Sequence, residues 1–258
     1  MKKLTKMLVA CLAILPCAFS FVACGDQLSA EASVNTKGNY EAATNDDFKK
    51  FAEENKDAKS FEEGARLTIK TTMTYEEKTY EAVTNAIVTY EDGKVTGMAI
   101  AVNTPEMEDE KASTSTIYFK DSKMYMHTIS GEDEYTYQTK MSAEVMESMY
   151  LDGYTAVNLD EMLVILSETT KVEKATSGKT TKWKISMGGE EEAEEEMSAV
   201  YYIICKDGAI VGLEMTMNMT IMGMKTTSVV TMEDYSGSIK YPKDLDEYST
   251  DLPLGIVL

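Results

Sequence analysis

From Gly64 onward, apolar and polar residues alternate. Leu67, Ile69, Met73 and Tyr75 interleave with Arg66, Thr68, Lys70, Thr72 and Thr74. A period of two marks a strand with one buried and one wet face, as in antiparallel sheets. Comparable runs occupy 79–91, 94–104, 113–120, 123–130 and 133–139, then 169–175, 179–188, 197–206, 209–221 and 224–235. Trp183, Ile185 and Met187 alternate with Lys182, Lys184 and Ser186 in one of them. Between the first runs lie Glu91-Asp92-Gly93-Lys94, Lys120-Asp121-Ser122-Lys123 and Ser130-Gly131-Glu132-Asp133, which are two-residue hairpin turns by composition. The pattern predicts about eleven antiparallel strands in a meander, with Pro242 ending the last extended segment.

Two stretches leave this period. Thr44 and Asp47 bracket a helix start, and Phe48, Phe51 and Ala52 supply an apolar face, predicting a helix over 46–58. Between 141 and 167, Met141, Val145 and Met149 are spaced by four, and Asp152-Gly153 stops that helix. Asn158 with Glu161 resembles a capping box, and Leu159, Met162, Leu163 and Leu166 follow at helical spacing. Helices near 142–151 and 158–167 therefore interrupt the sheet. A sheet of eleven strands must curl, and the helices are the available filler for its concave side.

The chain starts with Lys2, Lys3 and Lys6, an apolar run from Met7 to Ala23, and then Phe21-Val22-Ala23-Cys24-Gly25. This layout resembles a bacterial lipoprotein signal peptide. The resemblance implies cleavage before Cys24, a diacylglyceryl thioether on its sulfur, and attachment to the outer face of the cell membrane. Residues 25–44, rich in Ser, Ala, Asn, Thr and Gly, read as a flexible tether. The domain plan is a leader over 1–23, lipidated cysteine and tether over 24–45, and one β domain over 46–258.

Strand order, the hairpin Ile117-Tyr118-Phe119-Lys120-Asp121-Ser122-Lys123-Met124-Tyr125-Met126 and the closing Tyr235-Ser236-Gly237-Ser238-Ile239-Lys240-Tyr241-Pro242 resemble the lipoprotein-carrier superfamily. These are LolA-like and LppX-like proteins, unclosed β half-barrels with helices on the concave side. The resemblance implies a hydrophobic cavity able to hold acyl chains and transfers no specific residue.

Charge and composition narrow the functions. The formal net charge is −19, and the leader carries three lysines and no acid, so the mature body is more acidic still. Such a surface disfavours nucleic acid. Arg66 is the sole arginine. Once the leader is removed and Cys24 is capped, Cys205 is the one remaining thiol, placed in an apolar strand where burial is the expected state. His127 is the only histidine and has no partner evident in sequence. No catalytic constellation, metal site or cofactor motif emerges, and the expectation is a non-enzymatic protein without a cofactor. The run Glu190, Glu191, Glu192, Glu194, Glu195 and Glu196 reads as a solvated hairpin end. The apolar tip Ile221-Met222-Gly223-Met224 is anomalous for a turn.

Methionine is abundant, with 19 in the chain. Leu213, Met215, Met217 and Met219 share one face of a strand. With Leu67, Ile69, Met73 and Trp183 they form the candidate set for binding a lipid or other hydrophobic molecule. The alternative is that these residues are packed core and the protein is an envelope interaction or scaffold lipoprotein.

Overall fold

The computed structural model describes residues 27–251 apart from 59, 76–77, 107–110, 151–158, 168–169, 189–195 and 222–223. Cys24, residues 190–195 of the acidic run and the tip of the 221–224 turn lie outside the described residues, and Glu196, the last residue of that run, opens a strand. Twelve strands form one antiparallel sheet. They are β1 (Glu41–Ala43), β2 (Gly64–Tyr75), β3 (Lys78–Glu91), β4 (Lys94–Thr104), β5 (Ser113–Lys120), β6 (Lys123–Ser130) and β7 (Asp133–Lys140), then β8 (Lys171–Ser177), β9 (Thr180–Met187), β10 (Glu196–Lys206), β11 (Ala209–Ile221) and β12 (Met224–Asp234). The helices are α1 (Asn45–Glu54), α2 (Ala143–Tyr150) and a short α3 (Leu159–Met162) that tightens into a 3-10 turn over Leu163–Ile165.

The order across the sheet is β1-β8-β9-β10-β11-β12-β2-β3-β4-β5-β6-β7. Two meanders, β2 to β7 and β8 to β12, are joined where β12 pairs with β2, with Met232 opposite Leu67. The edges β1 and β7 remain apart, so the half-barrel is unclosed. This order dictates where the helices go. β7 and β8 lie near opposite edges, so the connection carrying α2 and α3 must cross the concave face.

Turn chemistry sets the hairpins. Asp92-Gly93, Asp121-Ser122 and Asp207-Gly208 each hold positive φ at both central residues, the geometry that matches strand twist. α1 begins as its sequence predicts. Thr44 Oγ1 accepts from the Asp47 amide at 3.1 Å, and Asp47 Oδ2 accepts from the Thr44 amide at 2.8 Å. It ends at Glu54 rather than 58, where Asn55 caps it by donating Nδ2 to the Phe51 carbonyl at 2.8 Å.

Three expectations need correction. The second inserted helix is one turn plus a 3-10 turn, because its buried residues Leu159, Met162 and Ile165 recur every three positions. In α2, Val145 and Met149 are each 46% exposed, while Met146 is the residue buried against the sheet. Finally, the part of the presumed tether from Gln27 to Ala43 is not free. It is a strap across the outer face, ending in β1, and the twelfth strand is this segment paired to β8.

The sheet buries both faces. On the concave face, Phe48 of α1 meets Trp183 edge-on with ring centroids 5.1 Å apart, within a core that includes Met98, Ile203 and Met146. On the outer face, Ile87, Ala99, Tyr118 and Tyr125 are covered by Leu28 of the N-terminal strap and by Ile239, Leu245 and Tyr248 of a C-terminal strap. The C-terminal strap reaches the edge strand, where the Gln138 amide donates to the Ser249 carbonyl at 2.7 Å and shields part of that edge.

Candidate functional site: the concave face

Strand register sorts the concave face into cross-strand rows about 7 Å apart. One row runs Trp183–Ile203–Leu213–Met232–Leu67–Ala86, and every member is buried. The next contains Ile185, Tyr201, Met215 and Val230, all buried, and continues to half-buried Ile69 and Thr84. The third runs Met187–Ala199–Met217–Ser228–Thr71–Ala82 and is mostly half-buried. The fourth runs Met197–Met219–Thr226–Met73–Tyr80, with Met197 exposed.

The gradient has a direct cause. α1 descends from the level of Val172 toward the Asp207-Gly208 turn, and α2 packs on β4 near the Ser122 turn. Helical side chains therefore plug the end of the half-barrel that carries the 92–93, 121–122 and 207–208 turns. The two rows at the other end are less completely covered, with Met187, Met217, Met73 and Met219 half-buried.

All eight candidate binding residues lie on this one face, in four adjacent rows, but in two environments. Leu67, Trp183, Leu213 and Met215 are buried members of the core. Ile69 and Met217 are half-buried against that core, and Met73 and Met219 are half-buried at the open end. Sequence reasoning missed the hydroxyls between them. Thr71 and Ser228 face each other at 3.3 Å in the third row, and Thr226 stands between Met219 and Met73 in the fourth, so the open end mixes thioethers with hydroxyls. Alternation alone places these residues there, and apolar counting passes over them.

The titratable groups lie elsewhere. His127 sits on the outer face, its Nε2 2.7 Å from Glu134 Oε1 and its ring 6.3 Å from Tyr248. That partner is a diagonal cross-strand neighbour and could be found only once the β6–β7 register is known. Cys205 is fully buried, and burial pushes its thiol up to about 12, which keeps it protonated and inert. Glu173 bridges Lys184 and Lys171 at 3.1 Å each, and these hydrogen bonds, Lys184 first, hold its carboxyl below the usual range. Among the described residues no group of three or more His, Cys, Asp or Glu is arranged to hold a metal ion. A shallow cleft of about 380 Å³ on the other side is lined by Glu63, Thr89, Tyr90, Tyr241 and residues 236–239.

No protein-family model matches the chain, and no curated protein does. Solved structures do. A LolA superfamily protein of Nitrosomonas europaea is 8% identical with a TM-score of 0.26, covering 79% of this chain and 98% of that one. A domain named for outer membrane lipoprotein sorting from Vibrio parahaemolyticus is 9% identical with a TM-score of 0.26, over 79% and 98%. A DUF1329 family protein of Desulfovibrio piger is 7% identical with a TM-score of 0.26, over 75% and 94%. At such scores the fold rests on the strand order given above.

Proposed function

We propose that this is an extracytoplasmic lipoprotein, anchored to the membrane through lipid on Cys24, that binds a hydrophobic or lipid-like molecule at the open end of its concave face. The observation that carries the reading is the pair of half-buried rows containing Met217, Met219 and Met73. Flexible thioether side chains left partly uncovered on a concave surface suit an acyl chain of variable shape. The interleaved hydroxyls suit an amphiphile rather than a pure hydrocarbon. The reading assigns the protein no catalytic step and no cofactor.

Native mass spectrometry of unlipidated protein after exposure to a lipid extract tests the binding. Retained lipid that is lost in Met219→Gln supports it, and wild-type protein that emerges without lipid refutes it. Anchoring is tested separately by metabolic labelling with an alkyne fatty acid, where Cys24→Ser should abolish the label. The second reading, an envelope scaffold with a packed core, draws on the complete burial of Leu67, Trp183, Leu213 and Met215. It predicts no retained lipid under the same conditions.

A further inference from the structure

The N-terminal strap bears on how an anchor would hold this body. The Gln27 side chain donates Nε2 to the Lys240 carbonyl at 2.6 Å and accepts from the Lys240 amide at 2.8 Å, clamping the two straps together. Leu28 beside it is buried in the outer-face cluster. Further along, the Ala32 amide donates to Thr68 Oγ1 at 2.8 Å, and Lys182 Nζ donates to the Asn35 and Lys37 carbonyls at 2.6 and 2.7 Å. The strap then enters the sheet as β1. The segment after Gln27 thus has no slack to serve as a leash.

Cys24 precedes Gln27 by three residues, which reach about 11 Å at most when fully extended. The clamp itself lies at the plugged end. Tyr241, next to Lys240, donates its hydroxyl to the Phe119 carbonyl at 3.1 Å, close to the Asp121-Ser122 turn. The rows holding Met73 and Met219 are at the other end, and β2, which runs from one end to the other, is about 36 Å long. A leash cannot reverse that separation, because its reach is about a third of the strand length.

We infer that the body stands on the bilayer by its plugged end, around Gln27 and Lys240, with the methionine rows directed away from the membrane that anchors it. This rests on the anchoring at Cys24 proposed above. Its consequence is that a ligand enters from the aqueous side, or from a partner there, and not from the lipids around the anchor. Exposed Lys240 and Lys243 are interspersed with Asp244 and Asp246, so the short leash, and not net charge, sets the contact.

The test uses the chain from Cys24 onward, which keeps every described residue, coupled at Cys24 to a maleimide-bearing phospholipid and inserted into phosphatidylcholine vesicles. Buried Cys205 does not compete for the maleimide. A benzophenone amino acid replaces Lys243 at the plugged end or Asp133 at the open end, and photocrosslinking to phospholipid is measured. Position 243 should crosslink several-fold more than position 133. Inserting about twenty Gly/Ser residues between Gly25 and Asp26 should remove the difference, since such a spacer lets the body tumble about 25 Å from the surface. Equal crosslinking without the insertion, or a preference for 133, overturns the inference. A preference that survives the insertion overturns the leash argument. Failure of native anchoring is read independently, as loss of acyl labelling on Cys24 in cells.

Discussion

Met215 and Met219 stand two rows apart on the same face of β11, and the same substitution should affect them oppositely. Met215 is 5% exposed and packed between Tyr201 and Val230. In Met215→Gln the amide replaces a thioether where no water reaches, and leaving it unpaired costs about 1–3 kcal/mol. Lost packing adds to this, so the expected destabilisation is about 2–3 kcal/mol. Met219 is half-buried at the open end, where a Gln amide can reach solvent or the neighbouring Thr226 hydroxyl, and Met219→Gln should cost about 0.5 kcal/mol or less. Urea unfolding reads the difference. With an m-value of about 3 kcal/mol/M, 2 kcal/mol shifts the midpoint by about 0.7 M, and Met219→Gln should shift it by less than about 0.2 M. Lipid retention by native mass spectrometry should move the other way, unchanged in folded Met215→Gln and reduced in Met219→Gln. Equal midpoint losses in the two variants would mean that the open end is packed as tightly as the core, and the binding proposal would fall with that result.

Three further outcomes follow from other parts of the structure. Phe48→Ala removes a fully buried ring that seats α1 on Trp183, so it should cost about 3–5 kcal/mol and red-shift Trp183 fluorescence; an unchanged urea midpoint would refute the packing. Glu173 has its folded-state carboxyl depressed by Lys184 and Lys171, so its stabilising effect is complete above the ordinary value of 4.5 and is lost as pH falls through the lower folded value. The stability advantage of the wild type over Glu173→Gln should accordingly be present at pH 7 and shrink below about 4.5 in urea titrations at stepped pH, and a pH-independent difference would contradict the assignment. In a protein that starts at residue 24 and carries Cys24→Ser, Cys205 should be silent to a thiol reagent at pH 8 and react fully in guanidinium chloride, whereas rapid labelling of the folded protein would contradict its burial.

Much of the sheet was legible because its signals are local. Alternation identifies a strand within a few residues, and a turn such as Asp121-Ser122 sets its partner's register at once. Given those two facts, the sharing of one face by Met215, Met217 and Met219 was determined before any tertiary contact. The Thr44–Asp47 cap was equally local.

The remaining features depended on partners far away in the chain. Residues 27–43 carry too few apolar side chains to look structured, yet Leu28, Ala32 and β1 find ready-made surface and a free strand edge on a sheet built from later residues. α2 has apolar residues on more than one side, and only the arrival of β4 decided that Met146 faces in while Val145 and Met149 face out. The joining of β12 to β2 placed β7 and β8 near opposite edges and so drove the helical segment across the concave face. Alternation along β11 thus determined which side its methionines occupy, and the position of the helices, set by strand pairing across the whole chain, decided that Leu213 and Met215 are core while Met217 and Met219 remain partly open.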